Sequence, residues 1–212
     1  MSKYAILDLE MCGMPRGRKK EMFPIRNEII QIGAVILDEN LEVVDSYMSY
    51  VHPQYGEVDR FIENLTGISR ENTRTAPVIK DALEDFINSL PDDAIPVSWS
   101  DSDLNQIKKE IEVKEIEIPK LDMFLERWVD CQKTFSEKMH TDKVYKLSEA
   151  VLICDIWLDD GEHDALVDAR NTAKLFAKME REDELVLSPY YSGDTEDYDA
   201  SATGLLGYYS YK

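Results

Sequence analysis

The sequence predicts an α/β fold: an open, mixed five-stranded sheet flanked by helices, with the first strand central. Three observations carry this. The periodic segments run β-β-β-α-β-α, followed by a shorter strand and more helices, an order that layers helices on a sheet. The first strand, residues 4–10, opens with an unbroken apolar run to Leu7, which suits a strand covered on both faces. Only residues 38–41, turned by Asp38-Glu39-Asn40, separate the second and third strands, so they form a hairpin, and the second strand runs antiparallel to the first.

In chain order, Asp8 and Glu10 close the first strand. Side chains alternate along a strand, so these two carboxylates point the same way. Burying both is costly unless a cation lies between them, and a hard divalent ion accepts such oxygen ligands. Taken alone, the pair equally describes the start of a solvated loop. Residues 11–27 carry Gly13, Pro15, Gly17 and Pro24 among charges and read as a long loop. Its Arg16, Arg18, Lys19 and Lys20, with Arg26, make one basic patch, as ready to be solvated as to meet a phosphate. Residues 28–37 and 42–51 are the second and third strands, and 58–77 is mixed.

Thr75 is expected to cap a helix over 76–90, with Val78, Ala82, Leu83, Phe86 and Ile87 as its apolar stripe. Residues 95–99 form a short buried strand. Ser100 or Ser102 then opens a helix carrying Leu104 and Ile107, which runs into the charged stretch 109–117. A short strand at 128–131, a helical turn at 132–138 and a helix at 147–157 follow. The last helix covers 164–182, with Ala165, Leu166, Ala169, Ala173, Phe176 and Ala177 on one face. From Leu185 the composition changes: six of the eleven tyrosines lie there, around an acidic run at 194–199. The division is a domain at 1–183 and an acidic, tyrosine-rich tail at 184–212. Disorder is the compositional default for such a tail; docking on the domain, a second copy or a partner is the alternative.

The 212 residues suit one domain with a sizeable core. No apolar run approaches the ~20 residues of a membrane span. One lysine precedes the first strand, unlike a signal peptide, so a cytoplasmic protein is expected. Cys12, Cys131 and Cys154 are odd in number and widely spaced, without zinc or disulfide spacing, and read as buried free thiols. The net charge of -19, from 24 basic and 43 acidic residues, argues against a general nucleic-acid binder. It leaves room for an enzyme that grips a strand end through metals.

Two stretches offer the other half of a metal site. Trp99-Ser100-Asp101-Ser102-Asp103 follows a buried strand and opens a helix, where sites of open sheets gather; its carboxylates equally suit a helix dipole. In 161–173, His163 precedes a helix start and Asp168 lies about one turn inside it. Ala165 and Thr172 share the Asp168 side and leave space for a ligand. With only His52, His140 and His163 in the chain, few residues compete for a base role.

Asp8-Leu9-Glu10, Asp103 after a Trp-bearing strand, and His163 with Asp168 five residues on resemble the DEDDh exonucleases, the DnaQ-like 3'-to-5' exonucleases of ribonuclease-H-like fold. The match runs from Met1 to about Arg181 and includes Glu28-Ile29-Ile30-Gln31-Ile32-Gly33 and Leu65-Thr66-Gly67-Ile68. Asp8-Leu9-Glu10-Met11-Cys12 and Ser98-Trp99-Ser100-Asp101-Ser102-Asp103 look most like the Eri-type, KapD-like branch, which acts mainly on RNA 3' ends. The resemblance implies that Asp8, Glu10, Asp103 and Asp168 hold two Mg2+ or Mn2+ ions and that His163 takes a proton from the attacking water. It selects Asp103 over Asp101, and implies release of nucleoside 5'-monophosphates from single-stranded RNA or short oligonucleotides. Met11, Cys12, Leu65, Thr66 and Trp99 are the expected substrate contacts, with Leu65 against the last base. Two alternatives stand beside this: a DNA-directed, proofreading-like exonuclease, and a silent nucleic-acid-binding module, which would be expected to lose one of the five residues.

Overall fold

Five strands, β1 (Tyr4–Gly13), β2 (Asn27–Leu37), β3 (Val43–Tyr50), β4 (Ile95–Ser98) and β5 (Val129–Asp130), hydrogen-bond in the order β3-β2-β1-β4-β5. The computed structural model describes residues 3–15, 23–161 and 163–191. β2 lies antiparallel to both β1 and β3, while β4 is parallel to β1 and β5 to β4. The expected mixed sheet with a central first strand is therefore present.

Its helices are α1 (Arg60–Thr66), α2 (Arg70–Arg74), α3 (Ile79–Ser89), α4 (Ser102–Val113), α5 (Pro119–Leu125), α6 (Cys131–Lys138), α7 (Leu147–Ile153) and α8 (Ala165–Arg181). Alternation along β1 sorts them into two layers. Ala5, Leu7 and Leu9 join Leu83 and Phe86 of α3 and Leu121 and Phe124 of α5. Ile6, on the other face, joins Phe135 of α6, Val151 of α7 and Ala169 and Phe176 of α8. Each such buried side chain contributes roughly 1.5–3 kcal/mol. Asp8 and Glu10 continue the Ile6 register, so the strand delivers both to the α8 side.

Several boundaries differ from expectation. β1 continues through Gly13, three residues past Glu10, because it still pairs with β2 as far as Asn27. The helix expected over 76–90 starts at Ile79 behind an N-cap at Val78. Pro77 disfavours helix for the residue before it, and Val78 is held extended by a bridge to His52. Thr75 instead ends α2, and Val78 is half-exposed while Ile79 is buried. The helix expected to reach Trp157 stops at Ile153, followed by Asp155 in a left-handed conformation. Helices α1, α2 and α5 had no sequence expectation.

Residues 183–191 lie against the domain: the Ser188 N–H donates to the Ile153 carbonyl, and Leu185, Leu187 and Tyr191 pack on the α6–α8 cluster. The rest of the expected tail, and Arg16, Arg18, Lys19 and Lys20 of the basic patch, lie outside the described residues. All three cysteines are buried and free. Among the described residues, no helix is long and apolar enough to cross a membrane.

Candidate active site

Across the sheet, Asp8 faces Gly33 and Glu10 faces Gln31. Those two β2 residues dock the start of α8. A β-carbon on Gly33 would fall 2.3 Å from the Ala165 carbonyl carbon and the Leu166 nitrogen. Only glycine lets the helix backbone rest there. Gln31, fully buried, accepts the Ala165 N–H at 3.0 Å and donates to the Asp164 carboxylate at 3.2 Å. Asp164 in turn caps α8 by accepting the Leu166 and Val167 N–H groups. The motif Glu28-Ile29-Ile30-Gln31-Ile32-Gly33 thus does structural work: it seats the helix that carries Asp168 beside the Asp8–Glu10 edge.

The remaining site residues arrive from two segments, α4 and the start of α8. Asp103 lies in the first turn of α4 and is buried, whereas Asp101 is exposed. His163 stands just before the α8 cap at φ 68°, with its N–H donating to the Asp168 carboxylate at 3.0 Å. Ligand atoms of Glu10, His163 and Asp168 lie within 4.8 Å of one another. Three of the five residues predicted for chemistry thus meet at this sheet edge, and Asp8 and Asp103 lie close enough to interact with them electrostatically.

Their electrostatics are strained. Burial, then Asp103, Asp168, Glu10 and Asp164, push the Asp8 carboxyl well above its ordinary range. Burial first, then Asp168, Asp103 and Asp164, raise Glu10 to about 8. Burial raises Asp103 to about 7, against the pull of hydrogen bonds from its own N–H, the Leu9 N–H and the Ser102 hydroxyl. Carboxylates held this close at neutral pH call for positive charge among them. The donor set, oxygen-rich with one imidazole, fits hard divalent cations.

Two clefts open beside the cluster. One, of about 530 Å³, is lined by Asp8, His163 and Asp168 together with Trp99, Gln132 and Lys146. The other, of about 440 Å³, is lined by Glu10, Met11, Cys12, Phe61 and Leu65. Met11, Cys12 and Leu65 thus border the second cleft. Trp99 stands in the first, its indole N–H donating to the Tyr145 carbonyl at 3.2 Å. Thr66 lines neither: it is buried, and its hydroxyl donates to the Ile62 carbonyl and accepts the Ile68 N–H. It helps end α1, together with the left-handed Gly67. Phe61 was not anticipated. It precedes Leu65 by one helical turn and is similarly exposed on the rim, a spacing visible only once 60–66 is known to be helical. A larger hollow of about 1010 Å³, between α6 and residues 183–191, holds none of the predicted site residues.

Comparison with known proteins gives a family match over residues 5–176, to the family described as Exonuclease (RNase_T). A zebrafish (Danio rerio) ERI1 exoribonuclease 2 is 32% identical over 176 residues, covering 72% of this chain and 31% of the relative. A DNA polymerase III of PolC type from Caldanaerobacter subterraneus subsp. tengcongensis is 29% identical over 178 residues, covering 84% of this chain and 11% of the relative. The chain therefore spans less than a third of either relative. Among solved structures, the nuclease domain of 3'hExo, a DEDDh family member bound to rAMP, superposes with a TM-score of 0.72 at 21% identity, over 88% of this chain and 96% of that one.

Proposed function

We propose, from the premise that this chain belongs to the RNase_T exonuclease family, that it removes nucleotides stepwise from the 3' ends of nucleic acids, single-stranded RNA foremost, releasing nucleoside 5'-monophosphates. Its fold is the ribonuclease-H-like fold of the DEDDh exonucleases. The observation that carries the proposal is the crowding of Asp8, Glu10, Asp103 and Asp168 with His163 at one sheet edge. The four carboxylates would hold two divalent cations, Mg2+ or Mn2+. Such ions supply positive charge opposite the scissile phosphate and make water easier to ionise.

The chain's own residues account for the rest. The His163 imidazole takes the proton of the attacking water. Asp168 fixes the His163 backbone through the bond from its N–H. Phe61 and Leu65, on the rim of the second cleft, offer apolar surface to the last base irrespective of its identity. Residues 1–183 would form the nuclease unit, with 184–212 appended to it. RNA is favoured by likeness to the ERI1 exoribonucleases. Likeness to a PolC-type DNA polymerase favours DNA as the second reading.

The test is digestion of 5'-labelled and 3'-labelled RNA and DNA oligonucleotides with Mg2+. A descending ladder from the 5' label and a mononucleotide from the 3' label are expected, faster for RNA. Internal fragments or no products would reject the reading. Asp8→Asn is expected to abolish hydrolysis with the fold retained by circular dichroism; unchanged turnover removes Asp8 from the mechanism.

A further inference from the structure

Beyond the carboxylate cluster, two α8 side chains, Asn171 and Lys174, hydrogen-bond to the stretch that leads into His163. Asn171 is fully buried, and its side-chain oxygen accepts the Asp159 N–H at 2.9 Å. Its amide nitrogen is buried without a hydrogen-bond partner. For stability this is a poor arrangement, since a desolvated donor left unpaired costs about 1–3 kcal/mol. Nearly a turn further, the Lys174 ammonium donates to the Trp157 carbonyl at 3.0 Å and to the Asp159 carboxylate at 2.8 Å. Past Asp159 the chain reverses at Gly161, φ 109°, and the Asp164 N–H donates back to the Gly161 carbonyl at 3.2 Å. His163 follows in its left-handed conformation, tied to Asp168. A non-glycine residue holds that conformation at a cost of about 1–3 kcal/mol, and only where its surroundings impose it.

We infer that Asn171 and Lys174 are positioning residues, which fix the loop before His163 and so set where its imidazole stands relative to Glu10 and Asp168. The inference rests on His163 as the proton acceptor. Its physical content is that one rigid helix holds both ends of the loop. Asn171 and Lys174 grip it at Trp157 and Asp159, and Asp168 grips it at His163. The base and the carboxylate beside it then move as one body, which is what a proton transfer over hydrogen-bond distance needs. The orphaned amide of Asn171 makes sense on these terms: its oxygen is kept for the loop, at the expense of its nitrogen.

The test is a double-mutant cycle in the full chain, reading kcat with Mg2+ on a 5'-labelled oligonucleotide. Asn171→Leu is expected to lower kcat about 10- to 100-fold, the effect of misplacing a catalytic group by about an ångström. In a His163→Ala background the same change is expected to cost less than about threefold, because there is no imidazole left to misplace. Lys174→Met, at a partly exposed site, is expected to show the same pattern at about fivefold, with Lys174→Arg restoring the rate. Equal losses in both backgrounds would mean ordinary structural damage and overturn the positioning role while leaving His163 as the base. A His163→Ala enzyme as fast as wild type would overturn the base assignment, and the positioning role with it.

Discussion

Glu10 is a carboxylate that the fold has moved from an ordinary 4.5 to about 8, mainly by burial and then by its acidic neighbours. The consequence has a definite sign. Between these two values the folded state holds a proton that the unfolded state has released, so stability falls as pH rises through the interval. Glu10→Gln cannot ionise and escapes that loss. Urea midpoints in EDTA are therefore expected to favour Glu10→Gln over wild type increasingly from pH ~5 to pH ~9. Added Mg2+ should reverse the ranking at the alkaline end, since cation binding releases the proton and uses the charge. Parallel pH curves for the two proteins, or no effect of Mg2+, would contradict a cation site at Glu10. The spacing of Asp8 and Glu10 was legible because strand alternation is a local rule. The size of the shift was not, because it depends on Asp103, Asp164 and Asp168, which arrive from distant segments.

Among the elements, the seating of α8 on β2 decides whether the site exists. Gly33→Ala would place a methyl group 2.3 Å from the Ala165 carbonyl carbon, and backbone cannot yield as a side-chain tip can. The helix must lift away from Asp8 and Glu10, taking Asp168 with it. The expected outcome is a loss of about 1–3 kcal/mol in urea unfolding, with activity falling at least about a hundredfold. Wild-type activity would show that close seating is not required. The strands and α8 were readable because long apolar periods announce themselves. Helices α1, α2 and α5 were not: each has seven residues or fewer, too short to form without the tertiary contacts that hold them. The local cues available were the end signals alone: Asp59 before and Gly67 after α1, Ser69 before α2, and Pro119 at the start of α5. Because α1 was unread, Phe61 was missed beside Leu65, which the resemblance had already placed at the substrate and which lines the second cleft with it.

Across the whole molecule, one buried lysine ties distant segments together around that cleft. Lys114, at the end of α4, lies 2.5 Å from the Glu28 carboxylate on β2 and 2.6 Å from Glu110 on its own helix. Glu28 also accepts the N–H groups of Gln54, Tyr55 and Gly56, and Glu110 accepts that of Ile29. Gly56 in turn abuts the Cys12 thiol, beside the strand end that lines the cleft. In the sequence, Lys114 is one charge in an acidic and basic stretch, and nothing local marks it as buried. Only the two carboxylates converging on it, one from β2, make it a keystone. Breaking a buried ion pair from one side leaves uncompensated charge, typically a loss of about 3–5 kcal/mol. Lys114→Met is expected to destabilise the protein by that order in urea unfolding at neutral pH. The deficit should shrink as pH falls. The lysine is the leading influence holding the Glu28 carboxyl below its ordinary 4.5 against the cost of burial, so the stability this supplies is present above that value and lost as acid protonates Glu28. A variant equally destabilised at pH ~7 and pH ~4 would mean that Lys114 acts by packing its stem, and that the charges around this cleft are held apart by something else.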